Sequence, residues 1–169
     1  MEEERLTDAK QESSLTKNFK ITPMTKDHIE AVLDLEKVCG LQSSDQSQYA
    51  KEFGNPEILT LVALESNKVI GFISASLITN VVEIRNIAVS PMARRRGIGE
   101  ALWQEIIFLT NEKEIAESWL EVRETNRTAQ DFYFSLGYNI VGRRKKYYSN
   151  PIENAILMTL VLSNENPKK

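Results

Sequence analysis

The sequence is poor in the residues that metal and thiol chemistry require: one cysteine, Cys39, and one histidine, His28, in 169 residues. A lone cysteine allows neither an internal disulfide nor a thiolate metal cluster, and a single imidazole leaves metal-based hydrolysis almost without ligands, so no metal site is expected. Long apolar runs are missing too. No stretch approaches the roughly 20 residues that span a bilayer. The opening MEEERLTDAK lacks the charged, then apolar, then small order of a secretory signal. Excess charge of either sign is also lacking: a net charge of -3 gives no global pull toward DNA or an anionic membrane. These absences predict a cytoplasmic chain with neither DNA nor membrane as partner, and they leave oligomeric state open. What is present is ordinary: 41% hydrophobic and 27% charged residues, enough at this length for one core.

Residues 1–18 are almost entirely polar, with only two leucines, which predicts a disordered tail, and residues 163–169 form a second polar tail. Between them, strands and helices alternate over 19–162. Phe19–Thr22 reads as a strand ended by Pro23. A helix capped by Thr25 runs to about Val38 with Ile29, Val32, Leu33 and Glu36 on helical spacing, and Gly40 closes it. Asp45–Phe53 reads as a second, short helix. Ile58–Leu64 and Val69–Ile78 flank Ser66–Asn67–Lys68 as a hairpin, and Thr79–Asn80 turns into a third strand, Val81–Val89. A helix from near Gly97 to about Glu112, strand Ser118–Val122, a helix over about Arg127–Leu136 stopped by Gly137, and strands Tyr138–Arg143 and Ala155–Leu162 complete the order. Antiparallel strands first and alternation afterwards predict an α/β fold with an α+β mixed central sheet flanked by helices.

The turn after Val81–Val89 reads Ser90-Pro91-Met92-Ala93-Arg94-Arg95-Arg96-Gly97-Ile98-Gly99 and opens a helix. The first N–H groups of a helix have no intrahelical partner and carry partial positive charge, so such a turn suits an anion. Glycines let the backbone approach a phosphate, and three arginines add charge. The pattern is neither a P-loop nor the longer dinucleotide fingerprint, and a tight turn with solvated arginines explains the segment nearly as well.

The string V-x-P-x-x-R-x-x-G-x-G (Val89–Gly99) resembles the acetyl-CoA motif of GNAT N-acetyltransferases. Trp119–Tyr148, beginning WLEVRETNRTAQDFYFSLGY, is similar to a block of the RimI-type ribosomal-protein alanine N-acetyltransferases, and Glu153–Met158 (ENAILM) resembles that group's last strand. The resemblance spans Phe19 to Leu162 and implies the GNAT fold and acetyl-CoA as cosubstrate. It implies that the pantetheine arm pairs with backbone at Ile87, Ala88 and Val89, and that pyrophosphate sits on Arg94, Arg95, Arg96, Gly97, Ile98, Gly99 and Glu100. Asn126 matches an asparagine that contacts the cofactor arm, and it equally suits an N-cap.

A carboxylate at Glu121, within Trp119–Val122, is costly in a strand covered on both faces. It must be paired, or its pKa rises to where a general base works. A salt bridge to a neighbouring strand is the structural alternative, with Arg123 read as poorly placed for it. The resemblance puts the base at Glu121 and the general acid at Tyr133, which spacing alone reads as a core tyrosine beside Ala129, Phe132 and Leu136. Tyr147 and Tyr148 match a pair near the peptide groove. Glu83 and Arg85 share one strand face and could help bind an incoming N-terminus, though they read first as a solvated cross-strand charge pair; Arg143–Lys146 could touch ribosomal RNA, though it reads first as a solvated strand edge. Cys39 lies far along the chain from these motifs, which argues against an acyl-cysteine intermediate. The expected reaction is direct acetyl transfer to the α-amino group of a protein N-terminus, of the ribosomal-protein-alanine kind. A polyamine, aminoglycoside or lysine acceptor and a non-catalytic acyl-CoA-binding module are the alternatives. Cys39–Ser44 lacks that group's proline and tryptophan, and Asn154 stands where it has an aspartate, so the acceptor side departs from the pattern.

Overall fold

The computed structural model describes residues 18–41 and 45–162. Both polar tails, apart from Asn18, lie outside the described residues. The elements are β1 (Lys20–Pro23), α1 (Ile29–Val38), α2 (Gln46–Glu52), β2 (Ile58–Glu65), β3 (Lys68–Ile78), β4 (Val81–Val89), α3 (Ile98–Thr110), β5 (Glu117–Arg123), α4 (Arg127–Ser135), β6 (Asn139–Ser149) and β7 (Ile152–Val161). The strands form one sheet in the order β1-β2-β3-β4-β5-β7-β6. Among the described residues, only β4 and β5 pair in parallel. Among the described residues, no helix is long and apolar enough to cross a membrane. Nor do three or more His, Cys, Asp or Glu gather into a metal-holding group there.

Local chemistry accounts for most of the boundaries. Ser66 and Asn67 both take positive φ (48° and 61°), the two-residue hairpin geometry their sequence anticipates. Thr25 precedes a 3-10 turn, Lys26–His28, that leads into α1, and its N–H donates to His28 Nδ1 at 3.1 Å. Asp45 caps α2 by accepting from the Gln48 N–H at 2.7 Å.

The largest departure from expectation is the final hairpin. β6 runs on to Ser149 and β7 begins at Ile152, whereas the sequence suggests strands ending at Arg143 and beginning at Ala155. The run Arg143–Tyr148 has no apolar alternation because β6 is the sheet edge and almost all of it is exposed. Two register irregularities bend this hairpin, and Lys146 adopts a positive φ at the second.

Each sheet face has its own core. α3 and α4 cover one face, where Ile73, Ile84, Leu102, Ile106, Leu120, Tyr138 and Met158 pack together. Leu102 and Ile106 are fully enclosed, worth about 1.5–3 kcal/mol each. α1 and α2 cover the other face, placing Val32, Leu35 and Tyr49 on Val62, Phe72 and Ala88. This second cluster contains residues of β2, β3 and β4 but none of β5, β6 or β7. The expectation that β5 is covered on both faces is therefore corrected. Ser118, Leu120 and Val122 are buried, while Glu117, Trp119, Glu121 and Arg123 share a face that the short α1–α2 layer does not reach.

Candidate active site

β4 and β5 pair only over Val81–Ile84 and Glu117–Leu120. β4 stays on β3 as far as Val89, and β5 stays on β7 as far as Arg123. The two central strands thus part after Ile84 and Leu120 and leave a wedge with no strand partner on its inner sides. The parting coincides with a bulge: Ser74 pairs Asn86 and Ala75 pairs Ile84, so Arg85 is the extra residue. Backbone polar groups along such a wedge need partners, and an extended chain carrying amides supplies them. Ile87, Ala88 and Val89 line the β4 side. Ile87 and Val89 pack on the α3–α4 cluster and Ala88 on the other, which leaves backbone rather than side chain facing the gap.

At the far end of β4 the chain makes a 3-10 turn, Pro91–Ala93, then passes Arg95 (φ 63°) and Gly97 (φ 74°) into α3. The first intrahelical bond runs from the Ala101 N–H to the Gly97 carbonyl at 3.0 Å, so the amides of Ile98, Gly99 and Glu100 precede it and present an anion-binding end.

The two glycines do different work. Among the described residues, a Cβ on Gly97 would meet nothing within 4 Å, which leaves that side open to a ligand. On Gly99 it would stand 3.3 Å from Phe132 Cζ, so this glycine serves the contact between α3 and α4.

The arginines are also partly committed. Arg96 Nη2 pairs with Glu65 Oε1 at 2.5 Å, which holds the Glu65 carboxyl below its ordinary range, and Arg94 Nε donates to the Val89 carbonyl at 3.2 Å. Cys39 Sγ lies 3.6 Å from the same carbonyl and 3.8 Å from Arg94 Nη2. Distance along the chain was thus a poor guide, because the fold sets this thiol beside the wedge.

Glu121 is a paired carboxylate, which is the alternative the sequence left open. Its partner is Arg144 on β6, with Nε 3.1 Å from Oε1, at side-chain exposures of 55% for the arginine and 18% for the glutamate. Arg144 reaches across β7 because Gly142, paired with Leu157 in the row of Glu121, offers no side chain there. Tyr147 also hydrogen-bonds the Glu121 carboxylate, which, first among the causes, pushes its hydroxyl up to about 12. Arg123 shares the face of Glu121 but is engaged elsewhere. It pairs with Glu153 at 3.1 Å, donates to the Asn150 carbonyl at 3.2 Å and lies 4.1 Å from the Tyr148 ring centroid.

Tyr133 is buried in the α3–α4 cluster, with Phe132 and Tyr138 rings at 5.4 and 5.6 Å. Burial pushes its hydroxyl well above the ordinary tyrosine range, so it stays a protonated donor. Asn126 acts as the N-cap of α4, accepting from the Ala129 N–H at 3.1 Å. Buried Gln130 fixes the β5–α4 loop by donating to the carbonyls of Arg123 and Glu124 at 3.1 and 3.0 Å. Glu153 grips the same loop through the Thr125 hydroxyl and N–H, which with Arg123 hold its carboxyl below the usual range. Asn154 accepts from the Lys146 N–H and donates to Glu124, so it is committed to the hairpin.

Sequence reasoning missed one further pair. Arg85 does not join Glu83 as a solvated pair but bonds Glu52 on α2, Nη2 to Oε1 at 2.7 Å. Nothing in the local sequence links positions 33 residues apart, although an arginine inside an apolar strand signals some such partner.

Comparison with known proteins converges on one family. The model of the acetyltransferase (GNAT) family matches residues 29–138. The [ribosomal protein bS18]-alanine N-acetyltransferase of Haemophilus influenzae is 37% identical over 107 residues, covering 62% of this chain and 73% of that protein. A Bacillus subtilis protein described as a putative enzyme of the same name is 31% identical over 117 residues, 69% of this chain and 78% of its own. Among solved structures, the ribosomal-protein-S18-alanine N-acetyltransferase of Escherichia coli superposes with a TM-score of 0.76 at 28% identity, covering 88% of this chain and 97% of that one. Ard1 of Thermoplasma volcanium gives 0.78 at 26% identity, with 87% and 99% covered. With the family match spanning the wedge, the glycine turn and α4, the chain belongs to the acetyltransferase (GNAT) family and is an N-acetyltransferase.

Proposed function

We propose that this enzyme moves the acetyl group of acetyl-CoA to the α-amino group of a protein N-terminus, of the ribosomal-protein-alanine kind, within a ternary complex. The observation that carries this reading is the β4–β5 wedge, with Glu121 at its mouth on the uncovered face of the sheet. Pyrophosphate is held at the amides of Ile98–Glu100, with Arg94, Arg95 and Arg96 around it. The pantetheine amides pair with backbone of Ile87, Ala88 and Val89. Asn126, besides capping α4, borders the arm. The acceptor enters from the opposite face.

Glu121, directly or through one water, removes a proton from an ammonium whose ordinary pKa is about 8. Its bond to the half-exposed Arg144 costs little to open. The freed nitrogen attacks the thioester carbonyl, and an amide near Val89 steadies the oxyanion. A C–N bond forms, the C–S bond breaks, and Tyr133 donates its proton to the departing sulfur. Of the two protons the ammonium sheds, one offsets that donation and the other leaves to solvent. The carboxylates of Glu153 and Glu121 are each already paired, with Arg123 and Arg144, so these two pairs offer no uncommitted carboxylate to the second ammonium of a polyamine.

The test incubates peptides with acetyl-CoA and the enzyme and reads intact mass. Peptides with a free alanine terminus are expected to gain one acetyl group, and the same peptides with a blocked terminus none. Acetylation of an internal lysine in the blocked peptide would overturn the acceptor assignment.

A further inference from the structure

The ion pair between α2 and β4 is incomplete in a way that its surroundings do not explain. Glu52 and Arg85 meet through one hydrogen bond, Nη2 to Oε1 at 2.7 Å, although an arginine and a carboxylate commonly meet through two. Among the described residues, the atoms left over, Glu52 Oε2 and Arg85 Nη1, are both buried and both without a hydrogen-bond partner. A buried acceptor and a buried donor left without partners are costly, and a group bearing both a donor and an acceptor would satisfy both.

Their position says which group that is. Arg85 is the bulged residue one step past Ile84, the last residue of β4 paired to β5, where it pairs Leu120. Arg85 follows Ile84 and Glu121 follows Leu120, so the two residues flank the point where β4 and β5 part. Glu52 comes from the last turn of α2 and lines a cavity of about 190 Å³ with apolar walls that include Met24, Phe53 and Leu61. The incomplete pair therefore links the point where β4 and β5 part to a small apolar hollow.

We propose that Glu52 and Arg85 form the subsite for the first peptide unit of the acceptor. Glu52 Oε2 accepts from the backbone N–H of the second residue, Arg85 Nη1 donates to the carbonyl of the first residue, and the apolar hollow takes a side chain that follows. A terminal amine with a peptide bond behind it offers this donor and acceptor together, whereas a simple polyamine offers donors alone. The inference rests on the acceptor being an amino-terminal peptide; it gives Arg85, whose strand face the sequence already offered to an incoming N-terminus, a partner in Glu52 that the sequence does not mark.

The experiment measures steady-state KM for peptide and for acetyl-CoA, together with Tm, in the full-length enzyme and three variants. Glu52→Gln and Arg85→Met should each raise peptide KM about tenfold, the equivalent of one lost hydrogen bond, with acetyl-CoA KM within about twofold. The double variant Glu52→Arg with Arg85→Glu restores opposite charges in exchanged places. It should recover most of the Tm lost by the single variants while peptide KM stays high. Peptide KM unchanged in Glu52→Gln, whose shape is conserved, would overturn the inference. So would a charge exchange that restores peptide KM, since that is the behaviour of a purely structural pair. Failure of the unaltered enzyme to acetylate any amino-terminal peptide would overturn the acceptor reading itself, and the subsite with it.

Discussion

Replacing Glu121 by glutamine separates the catalytic reading from a structural one. The amide keeps the shape and can still accept from the Tyr147 hydroxyl, but its NH2 now faces the Arg144 guanidinium, donor against donor. Arg144 is more than half exposed, so solvent replaces the lost partner and the stability change should stay within about 1 kcal/mol. In a domain of this size that corresponds to roughly 2–4 °C in Tm. Loss of a general base should instead lower kcat/KM for peptide about 10²–10⁴-fold at pH 7. The deficit should shrink as pH rises. For an amine of pKa about 8, the neutral fraction grows from about a tenth at pH 7 to about nine tenths at pH 9, so the variant should recover close to tenfold. The assay is initial-rate acetylation of a free-terminus peptide from pH 6 to about 9.5, with acetyl-CoA affinity titrated in parallel. An unchanged kcat/KM, or a loss that tracks a fall in cofactor affinity or in Tm, would refute the assignment.

The two glycines of the cofactor turn should respond differently in melts and acetyl-CoA titrations. Gly97→Ala forces a side chain into the left-handed region at about 1–2 kcal/mol and sets a methyl where the phosphate is expected, so affinity should fall while the fold survives. Gly99→Leu drives into Phe132, so the stability loss should come first, about 1–3 kcal/mol. Tyr147 should titrate near pH 12 in ultraviolet difference spectra of the enzyme against Tyr147→Phe, and move back toward 10 in Glu121→Gln, the largest source of its shift. Because the folded-state pKa is raised, the Tyr147 interaction stabilises the fold fully below about pH 10. That contribution disappears as pH climbs through about 12.

Much of the element order was legible because the core strands carry apolar runs and the turns carry their own chemistry, as at Ser66–Asn67 and Gly97. The run Arg143–Tyr148 was not legible as strand, since an exposed edge imposes no alternation. The site divides the same way. The glycine turn and the Glu121 strand can be read locally, and so can the amphipathic face bearing Tyr133. What holds them cannot. Gln130 and Glu153 lock the β5–α4 loop through contacts that only the closed sheet creates. Arg144 reaches Glu121 over an intervening strand because Gly142 clears the row. The bulge at Arg85 has no glycine or proline to announce it, yet it fixes where β4 and β5 separate. The two glycines share one motif but serve different masters, one the ligand and one the packing, and only the positions of Phe132 and Ile87 distinguish them.

The central claim is that the donor lies in the wedge between β4 and β5, with its pyrophosphate at the start of α3. Amide hydrogen exchange with and without acetyl-CoA tests it most directly. Protection confined to residues 85–89, 97–100 and 121–126 is predicted, with α1 and the β6–β7 turn unchanged. Protection elsewhere, with the backbone of Ile87 and Val89 exchanging as fast as in the free enzyme, would contradict the account.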